Sequence, residues 1–403
     1  MIANSYPNQI RYIWQQLGWP ALTVNDAELA PVLDLARLEQ GRLLGQLEAI
    51  GLAQMQDISR ELWVQDTLAT AAIEGEMLNV DSVRSSVARR LGLSDVLTRD
   101  RDVDGLVELM EDASSNYQTP LSHDRLYRWQ AELFAGSTID GLAGIRRVAV
   151  GRYRSHLDAM QIVSGRQGME MVHYEAPASS EVAREMSAFL SWFNTPKIVT
   201  KPKQTSGTAM PSMGGLVRAA MAHLWFETIH PFEDGNGRVG RAIADLALAQ
   251  DVGAAVRVFG LSKQLLESRK EYYDALNAAQ RGGLDVTPWV LWFVQNFTAG
   301  CVRSQAVVRA AMQKTAFWQR ANAHDLNIRQ RKILTRLLEA GDGGFLGGMT
   351  TEKYSKINGV SKPTATRDLT QLQVWDLLLV TGMGKATRYT VNVDGWNKPH
   401  PAA

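Results

Sequence analysis

From Leu216 to Ile229 the chain is almost wholly apolar, and it runs directly into HPFEDGNGRVGR, residues 230–241. The apolar run is too long for a typical strand and lacks β-branched enrichment, so it predicts a buried helix. Pro231 disfavours helical geometry at His230, so that helix is expected to stop there with the imidazole at its end. The stretch EDGNG is unsuited to a core element and predicts a tight loop whose backbone N–H groups point inward. RVGRAIADLALAQ then opens another helix, whose N-terminus adds unpaired N–H groups and the positive end of a dipole. A fold built on this stretch must place a loop of amides between two helices.

Gly235, Gly237 and Gly240 also spell G-x-G-x-x-G, the fingerprint of dinucleotide-binding folds. That fingerprint needs a preceding strand and a βαβ context, and here a helix precedes it. A protein-kinase lid fails for want of a V-A-I-K strand, and a P-loop fails for want of G-x-x-x-x-G-K-[ST]. The neighbouring residues are more informative. Arg238 and Arg241 lie three apart on the first helical turn, so both guanidiniums can reach one polyphosphate. Cations at a helix N-terminus oppose its dipole, which points to an anion bound between them. Asp234 is suited to Mg²⁺, which commonly takes one carboxylate plus phosphate oxygens. His230, with an ordinary pKa near ~6.5, is suited to removing a proton from a hydroxyl. Base, metal carboxylate, amide nest and two arginines make a phosphoryl- or nucleotidyl-transfer site.

The other bulk properties set limits. At 403 residues the chain is expected to hold two or three domains. A net charge of +1 gives no global pull toward nucleic acid or an anionic membrane, so such affinity would need a local patch. The single cysteine, Cys301, excludes an internal disulfide framework and fits a reducing cytoplasm. The N-terminus predicts no signal peptide, and no apolar stretch approaches the ~18 residues of a membrane span.

Helical patterns are expected from Asp26 to about Leu52, over SRELWVQDTLATAAIEGEML, over DSVRSSVARRLGL with Asp81 as N-cap, and from Leu121 to Phe134. Residues 145–177 predict a β-hairpin, with runs around Val148 and Val172 flanking SGRQG. A helix follows, and residues 195–215 read as an exposed loop. Further helices are expected over 238–251, 262–281 and 287–311. After about residue 320 a helix, a helix–turn–helix and a hairpin predict a winged helix. The class is mainly α.

HPFEDGNGRVGR resembles the signature of the Fic family, H-x-F-x-[D/E]-G-N-G-R-x-x-R, at every specified position. LVRAAMAHLWFETI resembles the helix that leads into that signature, and the family-like region covers roughly residues 70–300. The resemblance implies a Fic-type helical core with a β-hairpin flap at residues 116–315. An N-terminal helical region at 1–115 and a winged helix at 320–395 would flank it. It also implies transfer of AMP from ATP to a Tyr, Thr or Ser hydroxyl of a protein, the chain itself included, with pyrophosphate leaving. His230 would then be the base, and Asp234 would hold Mg²⁺. Gly235, Asn236 and Gly237 would cradle the phosphates, Arg238 and Arg241 would take the β- and γ-phosphates, and Phe232 would anchor the loop. The phosphate-transferring Doc-like branch carries a lysine-type change in this loop, whereas Gly237 matches the AMP-transferring form.

TAAIEG, Thr70–Gly75, resembles the family's inhibitory motif [S/T]-x-x-x-E-[G/N]. Glu74 would pair with Arg241 where the γ-phosphate belongs, although the equivalent Glu also aids AMP removal in some members, which leaves the net direction open. MVHYEAP matches the place of the flap, with His173 and Tyr174 as target or adenosine contacts. KEYYDALNAAQRG resembles the helix closing the adenine pocket, with Tyr272, Tyr273 and Gln280 as candidates. His223 predicts a core histidine, because no third metal ligand is evident near His223 and His230. Lys353, Lys356, Lys362, Arg367, Lys385 and Arg388 lie around the winged helix, while Glu352, Asp368 and Asp376 dilute the patch. DNA, a protein partner and a homodimer stay open for that module, as does a DNA-binding regulator with a nucleotide-sensing core.

Overall fold

The computed structural model describes residues 12–50, 52–92, 100–135, 149–164, 171–195, 214–254, 257–341, 344–345 and 347–396. These form fourteen α-helices and two β-hairpins, so the chain is mainly helical, with a small hairpin in its middle. Two compact units divide it: Met1–Ala49 with Met55–Gln305, and Ile50–Gln54 with Ala306–Ala403.

In the first unit the helices are α1 (Asp26–Glu48), α2 (Leu52–Ile73), α3 (Val80–Arg90), α4 (Arg101–Ser115) and α5 (His123–Leu133). The hairpin strands β1 (Gln161–Ser164) and β2 (Met171–Glu175) follow, then α6 (Ser179–Asn194), α7 (Gly215–Ile229) and α8 (Asn236–Val252). The unit continues with α9 (Leu261–Glu267), α10 (Arg269–Gln280) and the start of α11 (Thr287–Ala321).

The centre of this unit is the antiparallel pair α7 and α8, joined by the six-residue loop at 230–235. All fifteen residues of α7 are buried, as its composition requires. Helices α4 and α5 pack on α8, while α6 and α10 pack on α7. The N-terminal helices therefore share one compact unit with residues 116–305 instead of forming a unit of their own.

Several local expectations shift. The N-cap of α3 is Asn79, whose Oδ1 accepts the N–H groups of Asp81 and Ser82, so Asp81 lies inside the first turn. Helix α4 goes unnoticed in the sequence reading, yet Val103, Leu106, Val107 and Met110 repeat at helical spacing and all are buried. The segment expected as one helix over 262–281 is broken at Ser268 into α9 and α10. The hairpin's first strand falls at Gln161–Ser164. Val148, most of the SGRQG turn and most of the 195–215 loop lie outside the described residues.

The second unit takes up α12 (Ile328–Glu339), α13 (Thr351–Asn358), α14 (Lys362–Val374), β3 (Leu378–Thr381) and β4 (Arg388–Val391). That order is helix, helix–turn–helix and hairpin, and Met349 adds a bridge to Tyr389 beside the hairpin. Its own core gathers Leu334, Leu338, Tyr354, Leu369, Leu372 and Val391.

Candidate active site

The site grows from the way α7 ends. His230 takes left-handed backbone angles, φ 49° and ψ 60°, at the point where Pro231 behind it disfavours continuing the helix. Among the described residues only His230 and Asp376 have positive φ without being glycine. Such a conformation persists only when its surroundings hold it, and it recurs at functional sites. Here the holder is Arg154, 2% exposed. Its Nε donates to the His230 carbonyl at 2.8 Å, its Nη2 to those of Ile229 and Pro177, and its backbone N–H to Pro231 O at 2.9 Å. A guanidinium thus satisfies the last carbonyls of α7, where the dipole's negative end favours a cation.

The loop itself is closed by Asn236. Its Nδ2 donates to Phe232 O at 2.8 Å and its Oδ1 accepts the Phe232 N–H at 2.9 Å. The Phe232 ring is fully buried, with the ring centroid of Tyr153 5.4 Å away. Both polar atoms of the Asn236 side chain are spent on the loop, so a phosphate would meet its backbone N–H and not its amide group. What faces outward is backbone. The first intrahelical bond of α8 runs from Val239 N–H to Gly235 O, so the N–H groups of Asn236, Gly237 and Arg238 are the orphan donors of a helix start. Gly235, at φ 88°, makes the turn into that start.

A carboxylate already lies on this nest. A Cβ on Gly237 would stand 2.2 Å from Glu74 Oε1, so only glycine lets Glu74 come so close to the helix start. Glu74 also pairs with Arg241 Nη1 at 2.8 Å. Thr70, one turn earlier on α2, accepts Arg241 Nε on its Oγ1 at 2.7 Å and Nη2 on its carbonyl at 2.9 Å. Burial alone would raise the Glu74 carboxyl; the charge and hydrogen bond of Arg241, with Arg238 and His230, outweigh it and hold Glu74 below the usual range.

A second pair stands beside the first. Gly75, at φ 85°, ends α2 in a Schellman turn: Gly75 N–H bonds Ala72 O and Glu76 N–H bonds Ala71 O, both at 3.0 Å. That turn swings Glu76 back toward α8, where both its oxygens accept Arg238 Nη1 at 2.7 and 2.9 Å. Glu74 and Glu76 thus occupy Arg241 and Arg238 in turn. Sequence reading missed Glu76, whose signal was a second acid one residue past the helix-ending glycine. The end of α2 is tied down by α10, since Arg269 Nε and Tyr273 Oη both donate to Ile73 O.

His230 is nearly enclosed, its side chain 14% exposed. Burial, assisted by the Arg154 charge, pushes its imidazole down to about 4, so it is neutral and able to take a proton near pH 7. Glu227, one turn back on α7, places Oε2 3.7 Å from His230 Nδ1. Burial, then the charge of Glu74, pushes that carboxyl up to about 8. This has a measurable consequence for stability. A carboxyl raised in the fold contributes stability that is complete below its unfolded pKa and is lost as pH rises toward 8. Histidines of the unfolded chain titrate near ~6.5 and add an opposing slope that fades by about pH 7.5, while the Asp245 carboxyl, pushed up to about 7 by burial and then by Asp66, adds to the fall. Stability, read as melting temperature, should therefore fall toward pH 8, with at most about 1.4 kcal/mol per pH unit from Glu227. Glu227→Gln should flatten the fall, and equal slopes in both proteins would remove Glu227 as its source.

The remaining expected site residues divide. Asp234 is half-exposed, with Oδ1 accepting Gly235 N–H at 2.5 Å and lying 3.6 Å from Arg238 Nη2. Among the described residues no group of three His, Cys, Asp or Glu could hold a metal ion. A cation at Asp234 would thus need oxygens from its ligand, which is how Mg²⁺ binds with phosphates. Tyr273 is 39% exposed at the mouth of the site. Tyr272 and Gln280 are corrections: both are buried behind α7, with the Tyr272 hydroxyl on His223 Nε2 at 2.7 Å and Gln280 Nε2 on Glu227 O at 3.1 Å. His223 is a core histidine, pushed down to about 4 by burial. Tyr174 is a correction too, being 1% exposed with its hydroxyl on Thr228 O at 2.6 Å, so it anchors the hairpin instead of covering a target. His173 stands on the same strand, its carbonyl accepting Arg281 from the end of α10.

Parts of the chain match known families and proteins. Residues 120–248 match the Fic/DOC family, and residues 12–93 match a domain of unknown function, DUF4172. The chain is 23% identical over 255 residues to "Protein adenylyltransferase Fic" of Nematostella vectensis, covering 62% of this chain and 49% of that protein. It is 24% identical over 270 residues to the protein of the same name from Aedes aegypti, covering 66% and 45%. The chain thus spans about half the length of these relatives. A Fic family protein of known structure from Desulfovibrio desulfuricans aligns over 94% of this chain and 99% of its own, at 20% identity and a TM-score of 0.49. The chain carries a Fic/DOC domain at residues 120–248.

Proposed function

We propose that the chain is an autoinhibited protein adenylyltransferase, transferring AMP from ATP to a Tyr, Thr or Ser hydroxyl of a protein and releasing pyrophosphate. The observation that carries this reading is the double pairing of Arg241 with Glu74 and Arg238 with Glu76, on a helix start beside a neutral buried histidine. The names of the relatives support the same chemistry.

In this account the triphosphate replaces the two carboxylates. Arg241 and Arg238 take the terminal phosphates, and the orphan N–H groups of Asn236, Gly237 and Arg238 bind phosphate oxygens. His230 accepts the proton of the incoming hydroxyl, whose oxygen forms a bond to the α-phosphorus. The bond from that phosphorus to the β-bridging oxygen breaks, and its electrons leave on pyrophosphate. Glu227 stands beside the imidazole, its Oε2 3.7 Å from Nδ1, and its carboxyl, raised to about 8, is mostly neutral near pH 7. Mg²⁺, held by Asp234 and phosphate oxygens, would neutralise charge on the leaving group. Asp234→Asn is expected to raise the Mg²⁺ concentration for half-maximal rate about tenfold or more, read from a metal titration. An unchanged titration would take Asp234 out of the metal site.

Product analysis tests the reaction class. Chromatography of nucleotides from the Glu74→Gly variant should show pyrophosphate rising in step with modified protein. ADP in its place would mean phosphate transfer. Release of AMP from a previously modified protein, without net addition, would mean removal.

A further inference from the structure

Residues 306–403 hold fourteen Lys and Arg against seven Asp and Glu, a net charge of +7 in a chain whose whole net charge is +1. The positive charge is therefore segregated into the second unit, and the rest of the chain is acidic. Within that unit α14 buries Ala365, Leu369 and Leu372 on its inner face. Asp368 turns inward with them. It is 4% exposed, and its Oδ2 accepts Arg329 Nε at 2.9 Å and the Tyr354 hydroxyl at 3.0 Å. It is the only carboxylate on α14, so that helix's outer face carries none; Asp376, exposed just past the helix end, accepts Asn392 Nδ2 at 2.9 Å. That face exposes Lys362, Thr366, Arg367, Thr370 and Gln373, all hydrogen-bond donors. The turn between β3 and β4 exposes every residue from Thr381 to Ala386, including Lys385. Arg388 is held along this turn by the carbonyls of Lys385 and Thr387. On α13, by contrast, Lys356 is paired with Glu352 at 3.0 Å.

We propose that this unit is a winged helix that binds double-stranded DNA, with the outer face of α14 in the major groove and the Lys385 turn on the phosphate backbone. A groove about 12 Å wide admits one α-helix, and Lys, Arg, Thr and Gln read base edges or phosphates, whereas an exposed carboxylate would be repelled. The partner is defined by charge complementarity along one helix and one hairpin. This goes beyond AMP transfer and does not depend on it.

The test is fluorescence anisotropy of the full chain with a labelled duplex of about 20 base pairs, two helical turns. Binding at low salt should weaken with a slope of log affinity against log salt near −3, as three or four cations each displace counterions. Lys362→Glu with Arg367→Glu should weaken binding at least about tenfold and reduce that slope by about 2. Arg309→Glu, the same charge reversal on the exposed side of α11, should leave affinity within about twofold. All three side chains are exposed, so unchanged melting curves certify the folds. No binding at low salt overturns the proposal. So does equal weakening by the Arg309 change, or tighter binding of single-stranded DNA than of duplex.

Discussion

Glu74→Gly is expected to raise the rate of AMP transfer on the order of 100-fold. The Glu74 carboxylate makes the ion pair with Arg241 and lies against Gly237, so it holds the place that a terminal phosphate needs. Removing it relieves a competition worth roughly 3 kcal/mol for a largely buried pair, and each 1.4 kcal/mol is a factor of ten. The same change leaves Arg241, 2% exposed, without its counter-ion. The ligand-free variant should therefore melt below the wild type, and ATP with Mg²⁺ should raise its melting temperature more than the wild type's. Glu76→Gln should act in the same direction but by only a few-fold, because Glu76 is 44% exposed and its pair is screened by water. The two changes touch neighbouring arginines on one ligand, so their combined effect should depart from simple multiplication. A Glu74→Gly variant that melts lower yet transfers no faster would reduce the pair to a structural contact.

His230→Ala in the Glu74→Gly background is expected to lower the rate about 10³-fold while leaving the KM for ATP within a few-fold. A positioned base contributes roughly 10² to 10⁴, and the imidazole faces the hydroxyl rather than the phosphates in this account. Because burial and Arg154 hold His230 at about 4, the rate should not fall as pH is lowered from 8 to 6 on account of this group. A limb near the ordinary histidine value of ~6.5 would mean that the imidazole is solvated during turnover.

The backbone of the site was legible in the sequence because its signals are local. A mostly apolar run, a proline after a histidine and glycines before two arginines fix where α7 stops and α8 starts, and the structure follows them within two residues. Glu74 was legible through the resemblance of TAAIEG to the family's inhibitory motif. The side chains that failed are those whose direction tertiary packing decides. Tyr174, Tyr272 and Gln280 carry polar tips that suit a binding pocket, but their bodies lie toward the core and the tips find partners there. The Asn236 side chain closes the loop on Phe232, a role that its place in an amide nest does not reveal. Arg154 stood in a stretch that read as a strand, and nothing local marks it as the cap of a helix 75 residues later. Glu76 needed the Schellman turn at Gly75 to point it at Arg238, and Asp368 needed its contact with Tyr354 to remove it from the surface.

The most direct measurement of the central claim is transfer of label from ATP, marked at its α-phosphate, into protein. Wild type, Glu74→Gly and Glu74→Gly/His230→Ala would each be incubated with Mg²⁺ and a cell extract supplying hydroxyl acceptors. Strong labelling by Glu74→Gly, faint labelling by wild type and none by the double variant is the predicted result. Equal labelling by the double variant, or none by Glu74→Gly, would contradict it.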